Sequence, residues 1–203
     1  MAEFGNAVIL TRTIMKDGVC VGAWDVKNDR MLRLLNEKGH KLGDEVPFQV
    51  GEAYKIKYAT RYNITKPHTE DVAVYQYSYL DEVETKDFND LIEFLCIQDL
   101  ALEELFDGVL IWEGSAHMTP DNCTDYSVQI ATLTCELTKS GEYYEQFIWG
   151  HPTKRIKYVG ALPIDELPSR LPPGTPIRFS LARFWDRHKD GTYRAHLQLS
   201  AIY

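Results

Sequence analysis

The chain has 203 residues, 44% of them hydrophobic, 12% aromatic and 26% charged, a globular composition that can bury a core and excludes a disordered chain. That length accommodates one large β domain or two small ones. Thirty acids against 22 lysines and arginines give a net charge of −8, which speaks against a uniformly basic nucleic-acid binder.

The opening residues Met1 to Leu10 run straight into Thr11 and Arg12, with no basic region ahead of a long apolar stretch, so no export signal is expected. No later apolar run approaches the ~18 residues of a membrane span. The expectation is a soluble, cytoplasmic chain with no membrane contact. The Asn-x-Thr matches at Asn63 and Asn122 then have no route to glycosylation.

In chain order, β-rich runs fall at 7–12, 19–24, 31–35, 53–61 and 72–80, punctuated by Lys16-Asp-Gly18, Lys27-Asn-Asp29 and Pro67. An acidic segment, 81–107, follows with ten acids and one lysine; without it the chain holds 20 acids against 21 bases, so the flanks are close to neutral. Phe88, Leu91, Ile92 and Leu95 follow the i, i+3, i+4, i+7 spacing of a buried helix face behind Asp87 as N-cap. Asp99 is expected to cap a second short helix carrying Leu100, Leu102, Leu105 and Phe106, closed by Gly108.

Beyond it, β-rich runs fall at 109–112, 126–137, 143–149, 155–162, 177–185 and 193–203, with turns at Lys139-Ser-Gly141 and Lys189-Asp-Gly191. The Pro-rich stretch 167–176 is expected to be a surface turn before the last hairpin. Regularly spaced strands with one helical interruption predict closed or sandwiched antiparallel sheets, each set matching a small barrel.

Cys20, Cys96, Cys123 and Cys135 show no C-x-x-C pairing, so they are expected to be reduced thiols acting as small hydrophobes. His117 with Cys123 makes no metal set, and no metal or cofactor is expected.

The stretches Ile9-Leu-Thr-Arg-Thr-Ile14, Gly18-Val-Cys-Val-Gly-Ala-Trp-Asp25, Arg30-Met-Leu-Arg-Leu34, Pro67-His-Thr-Glu-Asp71, Phe179-Ser-Leu-Ala-Arg-Phe-Trp185 and Leu197-Gln-Leu-Ser200 resemble the bacterial dual OB-containing domain family. The resemblance implies a mainly β fold of two consecutive small OB-like antiparallel barrels, 1–80 and 108–203, joined by a short acidic helical segment, 81–107. By analogy it also implies nucleic-acid binding within bacterial defence or DNA-modification gene sets.

Barrels of that kind hold single strands in a basic groove with aromatic rings on which bases stack. The first half offers Arg30, Arg33, Arg61 and Tyr62; the second offers Lys154, Arg155, Lys157, Tyr158, Arg183, Trp185 and Arg187. The cluster 154–157 with Arg183 and Arg187 is the preferred patch. Each residue also has a plainer structural reading: Arg33 between Leu32 and Leu34 as the solvent side of a strand, Arg183 and Trp185 as core-edge neighbours of Leu181, and Tyr75, Tyr77 and Tyr79 as one amphipathic strand face.

Catalytic patterns fail on spacing. Pro120-Asp121 with Glu136 and Lys139 recruits an acid and a lysine three apart, on opposite faces of a strand, where a restriction-type nuclease needs them together. Glu113-Gly-Ser-Ala-His117 lacks the second glycine of a nucleophile elbow, and no phosphate-cradling glycine loop occurs. A non-enzymatic chain is expected. In Pro67-His-Thr-Glu-Asp71, Thr69 or Asp71 suits a turn or cap, and His68, Glu70 and Asp71 form the alternative, an interface or ligand-gating motif between the barrels.

Three readings of function follow: a non-catalytic module for single-stranded or structured nucleic acid, an adaptor whose acidic segment 81–107 docks on a basic protein partner, and a sensor of a nucleotide or small ligand held between the barrels.

Overall fold

The computed structural model describes residues 2–15, 17–61, 64–186 and 189–203 and divides into two compact units, Met1–Leu91 and Ile92–Tyr203. The fold is mainly β. In the first unit β1 (Glu3–Met15), β2 (Gly18–Asp25), β3 (Arg30–Leu35), β4 (Glu52–Thr60) and β5 (Asp71–Glu82) close a barrel in the order β1-β2-β3-β5-β4. Every pairing is antiparallel except β3 with β5. All five strands lie where the β-rich runs predict them.

Period-two alternation builds this core: Val19, Val21 and Ala23 from β2, Leu32 and Leu34 from β3, Tyr54, Ile56 and Tyr58 from β4, and Val72 and Val74 from β5. Phe48, fully buried, fills one end from the loop between β3 and β4 and meets the rings of Tyr54 and Tyr77 edge-on at 4.9 Å each. A bulge in β5 places Val74 opposite Tyr58 and Gln76 opposite Lys57, leaving Tyr75 as the extra residue. The three tyrosines therefore do not share one regular face, contrary to the alternation their spacing suggests.

Asp25 at the end of β2 ties the barrel shut. Its buried carboxylate accepts the backbone N–H groups of Asn6 at 3.1 Å and Lys27 at 3.0 Å, the Asn28 side-chain amide at 2.7 Å and the Tyr58 hydroxyl at 2.7 Å. Gly5 is required beside it, because a Cβ there would collide with that carboxylate.

α1 (Thr85–Leu95) realises the predicted helix but begins before Asp87, with the Phe88 N–H bonded to the Glu84 carbonyl at 2.9 Å, and it buries only Ile92. The second predicted helix is absent. In its place β6 (Cys96–Leu100) pairs in parallel with β9 (Val128–Leu133), and a kinked 3-10 segment follows over Leu102–Gly108. The reason is non-local: the Thr132 hydroxyl accepts the Asp99 N–H at 2.8 Å and the Gln129 side chain accepts that of Phe106 at 2.8 Å. A 3-10 turn still buries Leu102, Leu105 and Phe106, so the apolar spacing is satisfied without an α-helix.

The second unit is one curled sheet. After β7 (Ile111–Glu113) and β8 (Ser115–Met118) come β9, β10 (Leu137–Ser140), β11 (Tyr143–Gln146), β12 (Lys154–Tyr158), β13 (Arg170–Leu171), β14 (Ile177–Leu181) and β15 (Ala195–Ile202). Hydrogen bonding runs β13-β10-β11-β12-β8-β15-β14-β9-β6, with β12 also touching β15 in parallel and β7 pairing β8. The single run predicted over 126–137 is broken at 134–136, where the Thr134 N–H is taken by the Leu100 carbonyl at 3.0 Å. The Pro-rich stretch contributes β13 and the buried Leu167 and Leu171, so it is more than a surface turn. No helix among the described residues is long and apolar enough to cross a membrane.

Candidate functional site

In the first unit the predicted cations converge on the predicted acidic motif. Arg33 on β3 makes a close ion pair with Asp71, and Arg61 lies 3.9 Å from the other oxygen of the same carboxylate. The parallel β3–β5 contact sets this register, bringing Arg33 opposite Asp71 and bonding the Arg33 N–H to the Glu70 carbonyl at 2.8 Å. Burial would lower the Arg33 pKa, but the hydrogen bond and charge of Asp71 outweigh it and raise it. His68, Glu70 and Asp71 are all buried. Arg30 stacks its guanidinium 5.5 Å from the Tyr58 ring centre and reaches the Thr60 hydroxyl at 3.4 Å. Tyr62 lies outside the described residues.

In the second unit strand parity divides the preferred patch. Ile156 is buried in the core, so Lys154 and Tyr158 share its side of β12 and Arg155 and Lys157 point outward. Lys154 forms an ion pair with Glu103 and holds its ammonium 5.3 Å from the Trp112 ring centre, and burial lowers its pKa. Tyr158 packs on the core. On β11 Tyr144 is fully buried while Tyr143 and Glu145 stand on the outer side, and Arg155 lies 5.1 Å from the Tyr143 ring centre.

That outer face is mixed in charge. Lys157 is 3.1 Å from Glu142, and Arg170 on β13, beyond β10, is 3.5 Å from Glu136. Lys139, paired with Glu136 in the nuclease pattern, instead donates to the carbonyls of Ile164 at 2.9 Å and Leu167 at 2.6 Å. Arg183 and Trp185 stand on the segment joining β14 to β15; both are exposed, and Trp185 shares a two-bond bridge with Arg194. Arg187 lies outside the described residues.

The feature that spacing did not reveal is the loop joining β11 to β12. Phe147 is 71% exposed and Trp149 is 89% exposed, directly continuous with the strands bearing Tyr143 and Arg155. Read as strand, these rings belong to a β-rich run; Gly150 and Pro152 were the signal that the strand stops. Gly150 adopts φ 80°, a left-handed conformation that turns the chain back toward β12.

Among the described residues no three His, Cys, Asp or Glu side chains gather to hold a metal ion. The four cysteines form no disulfide and are partly buried, and burial pushes the Cys96 and Cys135 thiols up. No family model matches this chain, and no curated protein or solved structure matches it.

Proposed function

We propose that the chain is a non-catalytic module for single-stranded nucleic acid, built from two barrels of the OB type, with the outer face of β11 and β12 and the 147–153 loop of the second unit as its contact surface. The strand paths support the barrel reading. The first unit follows first-second-third-fifth-fourth, with the third and fifth parallel. Taking β9 and β10 as two halves of one first strand, β10-β11-β12-β15-β14-β9 repeats that path, again with a parallel third–fifth contact. In such barrels the second and third strands present the oligonucleotide face, and here those strands are β11 and β12.

The observation that carries the ligand class is the exposure of Phe147 and Trp149 on the loop that joins the strands bearing the Tyr143 and Arg155 pair. Every base has a π-face, so such rings bind unpaired strands without reading sequence, each worth roughly 1 to 3 kcal/mol. The equivalent position in the first unit is buried as well as neutralised, since Arg33 is held by Asp71 across the parallel contact, whereas Lys157 faces Gln198 and keeps its ion pair with Glu142 at the surface. The second unit therefore carries the contact.

The test is fluorescence anisotropy of labelled single-stranded and duplex DNA and RNA. Preferential binding of the unpaired strands supports the reading, and equal or absent binding contradicts it. A second reading rests on α1, which exposes Phe94 beside Asp90 and Glu93, a surface suited to a basic protein partner. Charge reversal at Asp90 and Glu93 abolishing capture of such a partner would support that reading.

A further inference from the structure

β5 outruns the strand that should flank it. β4 pairs with it from Val72 to Glu82, whereas β3 reaches only Asp71, Val72 and Ala73. Beyond Leu35 the chain turns away, because the Asn36 side chain accepts the N–H groups of Lys38 and His40, each at 3.0 Å. Among the described residues no strand pairs with the other edge of β5 past Ala73, and Tyr75 through Glu82 are all exposed. That edge presents main-chain donors and acceptors in strand geometry.

Two of the usual protections, charge and proline, are missing along it, and the bulges at Tyr75 and Leu80 leave Gln76 to Tyr79 as its regular stretch. Val74-Tyr-Gln-Tyr-Ser-Tyr-Leu80 has no charge and no proline, and it alternates strong β-formers. The segment is also held in place: Tyr77 packs against Phe48 at 4.9 Å, and Tyr54 lies 5.6 Å from Tyr79. A rigid, neutral, unpaired edge is a template for another strand.

We propose that this edge pairs antiparallel with the same edge of a second copy of the chain, extending the sheet across the two first units. Charge selects the orientation. Parallel pairing in register would set Asp81 and Glu82 against their own copies, and like charges opposite each other are destabilising. Antiparallel pairing instead carries each Asp81-Glu82 end to the start of the partner's run, beside the turn after Leu35. That turn is balanced in charge, Lys38 standing with Glu37 and Lys41 paired with Asp17 at 3.0 Å, so it lacks the repulsion of the parallel register. The shared chemistry is that of strand addition: main-chain hydrogen bonds supply attraction, and Tyr77 and Tyr79, two apart between the bulges, supply register.

Sedimentation velocity over a range of concentrations tests the pairing, with hydrogen exchange of the 75–82 amides measured alongside. The expected result is a concentration-dependent dimer whose 75–82 amides gain protection as it forms. Tyr77→Lys and, independently, Ser78→Lys are expected to weaken it by about tenfold or more, since a two-fold axis counts each new charge twice. Ser78 is exposed, so its variant keeps the test decisive should Tyr77→Lys disturb the packing on Phe48. Trp149→Ala is expected to leave the dimer unchanged, which separates this pairing from nucleic-acid binding. A chain that sediments as a monomer throughout overturns the proposal. So does a dimer indifferent to both lysine substitutions, which would place a different surface, or a different partner, at the contact.

Discussion

Asp25 is the residue on which the first barrel most depends. One buried carboxylate joins the start of β1, the turn after β2 and the hydroxyl of Tyr58 on β4. Burial raises its pKa, but the bonds from Asn28, Tyr58, Asn6 and Lys27 together outweigh that and hold it below its ordinary 3.8. Burial and the Asp25 charge push the Tyr58 phenol up to about 12. Asp25→Ala leaves the Tyr58 hydroxyl and the Asn6 N–H without their acceptor, and the expected loss is about 2 to 5 kcal/mol, measured by urea denaturation. The sign with pH follows from the lowered value. The contribution is complete above the unfolded pKa near 3.8 and is lost as pH falls through the folded value beneath it. Melting temperature followed into acid should therefore fall more steeply for the natural chain than for Asp25→Asn, which has no carboxylate to protonate.

Among the elements, β12 is expected to separate stability from the proposed binding within five residues. Lys154→Ala removes the ion pair with Glu103, which ties β12 to the 3-10 segment, and the contact over Trp112, which ties it to β7. A lower melting temperature with unchanged oligonucleotide affinity is expected. Charge reversal at Arg155 and Lys157, both exposed, is expected to do the opposite, and paired thermal melts and anisotropy titrations distinguish the two. This division was readable in principle from Ile156, since period-two alternation puts 154, 156 and 158 on one side. The five strands of the first barrel were readable as well, because Gly18, Asn28 and Asp29 mark their turns. The loop with Phe147 and Trp149 was not, because its residues are β-formers and only Gly150 and Pro152 betray the break. The strand at Cys96–Leu100 was hidden for a different reason: its pairing with β9 lies more than thirty residues away, while the local spacing of Leu102, Leu105 and Phe106 mimics a helix. The convergence of Arg33 and Arg61 on Asp71 depends on the parallel β3–β5 contact, which no local pattern announces.

At the scale of the whole molecule, the net charge of −8 sits on a chain whose proposed binding face is close to electrically balanced. Arg155 and Lys157 face Glu142 and Glu145, so under the proposed function stacking rather than phosphate neutralisation is expected to supply most of the affinity. The dependence on salt is therefore expected to be shallow. With two to three phosphates neutralised, log K should change with log salt by a slope of about −1.5 to −2, far from that of a basic-groove binder. A steep slope would show that another, more cationic surface makes the contact. Whether a base stacks on Trp149 decides the proposed contact most directly. Tryptophan fluorescence titrated with unlabelled single-stranded oligonucleotide, for the natural chain and for Trp149→Ala, measures this. Saturable quenching that disappears with the substitution, together with an affinity loss of roughly 1 to 3 kcal/mol, is the predicted result. No quenching, or quenching and affinity that survive the loss of Trp149, would contradict it.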